Sequence, residues 1–227
     1  MKKILLASLA LSALSVSAEQ PMQVDDAGTL TPGDFKLESV LARDHKVRSG
    51  EWAFGFAPVA SLEVGLSATR AFDREPQPNT KLQGAGVNVK WVPVQSATGW
   101  SLGASLAYGH LRIHEHATPA KYNEKAYALT GLATYRLESD QVVHLNLGAQ
   151  HTRAQGSSEN AATWGAGYEQ PLTRKLRMTA EVFGQEHAGP DKALGLRYEV
   201  APGLKLSAAM GRGNDRNFGR LGMAWEF

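Results

Sequence analysis

The sequence predicts a transmembrane up-and-down antiparallel β-barrel of about twelve strands, carried behind a cleaved signal peptide. Three observations predict it. Short segments that alternate apolar and polar residues follow one another from residue 34 to Phe227. Charge is confined to one face of those segments, and the aromatic residues gather on the other face near the segment ends. Alternation with period two is the mark of strands lying between two unlike environments, and an apolar, aromatic-edged outer face is the mark of a barrel in lipid.

The first element is "MKKILLASLALSALSVSA", residues 1–18. Lys2 and Lys3 precede an apolar run from Ile4 to Leu14, and Val16-Ser17-Ala18 supplies a small-residue cleavage site. This is the pattern of a secretory signal peptide, and the run is short for a membrane anchor. Cleavage would leave 22 basic residues against 22 acidic ones, because it removes two of the 24 Lys and Arg and no Asp or Glu. That balance gives no basic surface for a nucleic-acid partner. The chain has no cysteine, which excludes disulfides and thiolate metal sites.

Residues 19–33, "EQPMQVDDAGTLTPG", are polar and turn-rich, and read as a periplasmic lead-in. The barrel is then expected over 34–227. Its strands are predicted at 34–43, 50–58, 61–72, 81–93, 99–112, 125–137, 142–152, 161–170, 174–186, 192–200, 204–212 and 218–227, each near the roughly 9–11 residues that a tilted strand needs to cross a bilayer. Short connections around Pro58, Pro93, residues 137–141, Pro171 and Pro202 alternate with mostly longer polar ones such as "DREPQPNT". Short periplasmic turns and longer external loops are expected of an outer-membrane barrel.

One face of each strand carries residues such as Leu37, Phe54, Leu66, Val89, Leu106, Leu129, Leu145, Leu147, Leu196 and Met210, and all five tryptophans. The other carries Lys36, Glu38, Glu63, Lys90, Arg136, Glu169, Arg177, Glu181, Arg197, Glu199, Lys205 and Glu226, with Asn88 and His144. A basic residue facing lipid at mid-depth costs about 2–4 kcal/mol, so the charged face lines the lumen. Six carboxylates and six cations form a belt in the periplasmic half, and hairpin register suggests the pairs Glu169–Arg177, Glu181–Arg197 and Glu199–Lys205. Above the belt the lumen face reads as small and neutral, with Ser67, Thr69, Gly84, Ser105 and Gly165.

The chain closes on "GRLGMAWEF". Arg220, Gly222, Trp225 and Phe227 resemble the carboxy-terminal signal of Gram-negative outer-membrane proteins, which implies recognition by the barrel-assembly machinery and closure of the last strand on the first. The stretches "DDAGTLTPGDFKLES", "FGFAPVASLEVGLS", "LTRKLRMTAEVFG" and "LGLRYEVAPGLKLSAAMGR" resemble the outer-membrane family called "MetA-pathway of phenol degradation". That resemblance implies a transporter or channel, and its shared elements build the barrel without naming a substrate.

The function expected is a narrow outer-membrane channel or transporter for small solutes. A closed structural or assembly-related barrel is the alternative, and an outer-membrane enzyme the less favoured one. An enzyme of that kind needs a Ser or Asp beside a His on the outer rim. His110 and His151 lie there, with no serine on the matching face of the predicted neighbouring strands. His110, His114 and His116 share parity, but their spacing is not that of a zinc motif, and an outer strand end meeting lipopolysaccharide phosphates accounts for them better. No metal or cofactor is expected. The partners expected are outer-membrane lipids and lipopolysaccharide, the assembly machinery and a small solute.

Overall fold

The computed structural model describes residues 20–75, 79–116, 120–214 and 216–227. The signal-peptide reading, residues 1–18, lies outside the described residues. The predicted strands all form: β1 (Phe35–Asp44), β2 (Val47–Val59), β3 (Leu62–Asp73), β4 (Thr80–Val94), β5 (Gly99–Glu115), β6 (Lys121–Arg136), β7 (Val142–Ala154), β8 (Ser157–Pro171), β9 (Leu176–Gln185), β10 (Asp191–Ala201), β11 (Leu204–Gly213) and β12 (Arg216–Glu226). Each pairs antiparallel with its neighbours in sequence, and β12 returns to β1 to close the barrel. Closure leaves no unpaired sheet edge for lipid to meet.

The seam is built by the terminal residues. Lys36 lies opposite Glu226 and Leu37 opposite Trp225. Phe35 N–H donates to the Phe227 carbonyl at 2.8 Å, and Phe227 N–H donates back at 3.0 Å. The Phe35 and Phe227 rings stack at 6.0 Å, with the Trp225 ring 4.6 Å from Phe227. The aromatic last residue therefore finishes both the ladder and a ring cluster at the terminal end of the barrel.

The connections depart from expectation at the far end. Where mostly longer loops were expected, β1–β2 and β7–β8 are joined across two residues, and the strands run further outward; β5 has 17 residues and β6 has 16. At the β7–β8 turn Gln155 and Gly156 both have positive φ, 44° and 79°, the geometry that matches the twist of a tight hairpin. Chain read as polar loop is thus absorbed into strand, since paired backbone groups need no other partner. The same extension moves Trp52 and Trp164 from predicted strand ends to mid-strand, while Trp91, Trp100 and Trp225 stay near the terminal end.

The two faces separate as the alternation requires. Leu106, Leu147, Leu194 and Met210 point outward and are 60–74 % exposed, whereas Lys90, Glu63, Arg197 and His144 point inward and are buried. Such a distribution inverts a water-soluble protein, and only an apolar surrounding makes it favourable.

Candidate functional site

Residues 20–30 occupy the lumen. This stretch carries Pro21, two adjacent aspartates and Gly28, and has no alternation with which to join the sheet. Its backbone groups still need partners, and lumen side chains supply them. Glu181 accepts from Gln23 N–H at 2.7 Å and Val24 N–H at 3.0 Å. Asn146 grips Asp25 at both main-chain groups, accepting from its N–H at 2.7 Å and donating to its carbonyl at 2.9 Å. Thr134 accepts from Ala27 N–H at 2.7 Å, Glu63 accepts from Leu30 N–H at 3.2 Å, and Arg197 donates to the Gln20 carbonyl at 2.6 Å. The stretch read as a periplasmic lead-in therefore lies inside the barrel as a plug.

Its acidic side chains complete a charge cluster. Lys90, only 1 % exposed, donates to Asp25 Oδ1 at 2.9 Å, to Asp26 Oδ1 at 3.1 Å and to the Asp26 carbonyl at 3.2 Å. Arg136 stands 3.6 Å from Asp26 and donates to Ser101 Oγ at 3.0 Å. A buried ammonium is tolerable only when paired in this way.

The wall is shaped to the plug. A Cβ on Gly165 would lie 2.8 Å from Val24 Cγ2, and one on Gly195 would lie 2.8 Å from Pro21 Cγ. A Cβ on Gly167 would collide with the Met22 methyl, and one on Gly222 would lie 3.0 Å from Gln20 Cβ. Met22, Val24 and Ala27 are consequently buried, the last packed with Val92 and Leu132.

The predicted belt is brought together in the terminal half, with different pairings. Arg197 meets Glu169 at 3.0 Å rather than Glu181, because β9 sets Glu181 opposite Ala193 and Arg177 opposite Arg197. Glu169 lies opposite Thr179, two residues from the expected register, yet still has Arg177 at 3.9 Å. The register differs by two residues between β8 and β9 and by four between β9 and β10, and an even shift preserves the face, so these residues remain in the lumen and only the partners change. Glu199 lies opposite Lys205 as predicted, and Lys205 also reaches Glu226 at 3.3 Å. Lys36 contacts Glu38 and Glu63, each at 3.7 Å. His144 bonds Thr134 at 3.0 Å and sits 3.4 Å from Glu169, as a wall residue.

The far half is not small and neutral. Arg216 bridges Asp44 at 3.1 Å and Asp191 at 2.7 Å, tying β12 to the far ends of β1 and β10. Arg220 lies 4.0 Å from Glu181, and its guanidinium is 5.1 Å from the Phe218 ring centre and 5.8 Å from that of Phe183. Across the barrel, Val47, Ala71, Leu82, Leu111 and Ile113 form a buried apolar cluster with Tyr122 against it. Asp44, Val47, Ile113, Tyr122, Asp191 and Arg216 were missed because β2, β6, β10 and β12 begin earlier, and β1 and β5 end later, than the predicted strands. Ala71, Leu82, Leu111, Phe218 and Arg220 fall inside the predicted strands on the lumen parity, and the reading of that half as small and neutral passed over them.

At the terminal end a cavity of about 290 Å³ opens beneath the plug, lined by Arg136, Arg174, Lys175, Arg177, Arg197 and Lys205, with four carboxylates including Asp26. His144 lines this cavity, and the outer-rim histidines lie elsewhere. The His114 and His116 rings stack at 4.4 Å, with His116 Nδ1 bonded to the Asn79 carbonyl at 2.8 Å. His151 bonds Asn160 at 2.7 Å. Ser158 does share that outward face, because β8 begins at Ser157, but it lies opposite Arg153.

A family model described as "Uncharacterised conserved protein UCP029691" matches residues 6–218. No curated protein sequence matches the chain. Among solved structures, "KdgM porin in complex with disordered oligogalacturonate" is similar with a TM-score of 0.64 at 12 % identity, covering 85 % of this chain and 99 % of that one. The translocator domain of the autotransporter NalP from Neisseria meningitidis is similar with a TM-score of 0.64 at 15 % identity, covering 99 % and 96 %. The NanC porin is similar with a TM-score of 0.57 at 8 % identity, covering 84 % and 98 %. At these identities the likeness establishes the architecture, a closed antiparallel β-barrel of the kind these outer-membrane proteins share.

Proposed function

The chain belongs to the family of Uncharacterised conserved protein UCP029691, and we propose that within it this barrel is a narrow outer-membrane channel or transporter for small solutes. One observation carries the reading. The lumen is crossed by charged and hydrogen-bonding side chains, and what fills it is held largely by polar contacts to those side chains. Lys90, Asn146, Glu181 and Arg197 all hold the plug through bonds that water or a polar solute can replace. The porins among the similar structures, one of them complexed with oligogalacturonate, support the same reading, as does the resemblance to the MetA-pathway family.

On this reading residues 1–18 direct export and are removed, the termini lie in the periplasm, and Gly222, Trp225 and Phe227 form the signal read by the assembly machinery. The outward ends of β5 and β6, with Arg112, His114 and Lys125, meet lipopolysaccharide phosphates. The second reading, a permanently closed barrel, is favoured by the glycine cradle that fits Met22 and Val24 so closely. Single-channel recording in planar bilayers decides between them, using the chain beginning at Glu19. The channel reading expects discrete openings of low conductance. Silence both from this chain and from a barrel stripped of the plug would overturn it.

A further inference from the structure

The contacts of residues 20–30 with the wall are those of a ligand with its site. None of them belongs to the barrel's ladder; main-chain groups of the segment are met by side chains of β3, β6, β7, β9 and β10. Among the described residues its backbone-to-backbone bond to the barrel comes just past its carboxy-terminal end, where Gly33 N–H donates to the Ala57 carbonyl at 2.8 Å. Gly33 has φ of 93°, a conformation open to glycine at little cost, and nothing lies within 4 Å of where its Cβ would be. Such a residue is suited to act as a hinge, since a rotation there moves the whole segment without touching a strand.

The chemistry of the site is specific. In this sector of the wall Lys36, Lys90 and Arg136 stand against Glu38 and Glu63, so cations outnumber acids when the segment is absent. Asp25 and Asp26 supply the missing carboxylates. Both reach the one ammonium of Lys90, and Asp26 also faces Arg136.

We propose that the lumen wall around Lys90 and Arg136 is a carboxylate-binding site, that Asp25 and Asp26 are its resident occupants, and that a carboxylate-bearing solute enters by exchanging with them. Residues 20–30 are then a displaceable plug swinging about Gly33, and the site selects the solutes that open it. This deepens the channel reading and rests on it for the passage of solute, though not for the binding.

The test uses a barrel beginning at Thr31 and a synthetic peptide of residues 19–30. Binding is measured by titration calorimetry in detergent, conductance in planar bilayers. The free peptide should bind the truncated barrel, and should lower its conductance when added on the side of the termini. A peptide with Asp25→Asn and Asp26→Asn should bind about tenfold more weakly, the loss expected when a charge-assisted hydrogen bond goes. Lys90→Gln in the truncated barrel should weaken the native peptide to a similar degree, whereas Lys81→Gln, on the outward face of β4, should not. Succinate should compete with the peptide and succinamide should not, which extends the site from the plug to a free solute. Equal binding of the two peptides, or no effect of Lys90→Gln, would overturn the carboxylate site. A full-length chain that conducts as freely as the truncated one would overturn the plug. If the truncated barrel is silent yet binds the peptide through its aspartates, the site stands and the channel reading falls.

Discussion

Leu147 and Asn146 are adjacent on β7, and changing each should break a different thing. Leu147 points outward and is 73 % exposed, with its strand neighbours Gly131 and Trp164 on either side. Leu147→Arg would place a guanidinium in hydrocarbon several residues from either strand end, at a cost of about 2–4 kcal/mol. Asn146 is 9 % exposed and makes two hydrogen bonds to the Asp25 main chain. Asn146→Ala removes both, at about 0.5–1.5 kcal/mol each, but the loss falls on the docked plug and not on the ladder. Folding titrations by urea in lipid vesicles should therefore show a large drop in barrel stability for Leu147→Arg and little change for Asn146→Ala. Limited proteolysis from the terminal side should show the reverse, with faster cleavage within residues 20–30 of the Asn146 variant alone. Equal barrel destabilisation by the two changes, or an unchanged cleavage rate in Asn146→Ala, would refute the assignment of the two faces and of the anchor.

Three further outcomes are expected. Deleting Phe227 removes a backbone pair and a ring from the seam and should reduce the folded fraction in outer-membrane preparations, read by heat-modifiable gel mobility; normal folded yield would count against its role in assembly. Gly167→Leu should expel the plug by collision with Met22, raising conductance while the barrel still folds, and Met22→Ala in the same chain should restore closure. Leu82→Ala, at a fully buried position of the far-half cluster, should cost about 2–5 kcal/mol in vesicle unfolding, while Leu106→Ala on the lipid face should cost clearly less.

The barrel was legible because its physics is periodic. Each strand repeats the same two-residue contrast, so Leu145 outside and His144 inside follow from a single choice of face that all the other strands share. Register was only partly legible, since alternation constrains pairing modulo two. Glu169 could meet Arg177 at the predicted offset or at the observed one without any side chain changing environment, and the sequence offers no penalty to separate them. Strand ends were the weakest point. Outside the bilayer the outward face turns polar, as at His114 and Lys125, and the contrast that marks a strand fades although the ladder continues.

The plug was illegible for a stronger reason: nothing in its own residues distinguishes a segment that solvates itself in water from one solvated by a protein wall. Asp25 and Asp26 suit either setting. What distinguishes them lies in the wall, where Gly165, Gly167, Gly195 and Gly222 cost the strands packing and conformational entropy and repay nothing in lipid. Glycine on the lumen face of a mid-strand position is explained by close approach of another chain segment. At Gly165 and Gly167 an added Cβ meets Val24 and Met22 before anything else, so there the wall has been shaped around an occupant; Gly195 and Gly222 are crowded by Thr179 and Ser207 of the wall as well as by the plug. An occupant whose described backbone joins the barrel's backbone near Gly33, and whose other bonds are to side chains that also suit a solute's carboxylates, is placed to leave.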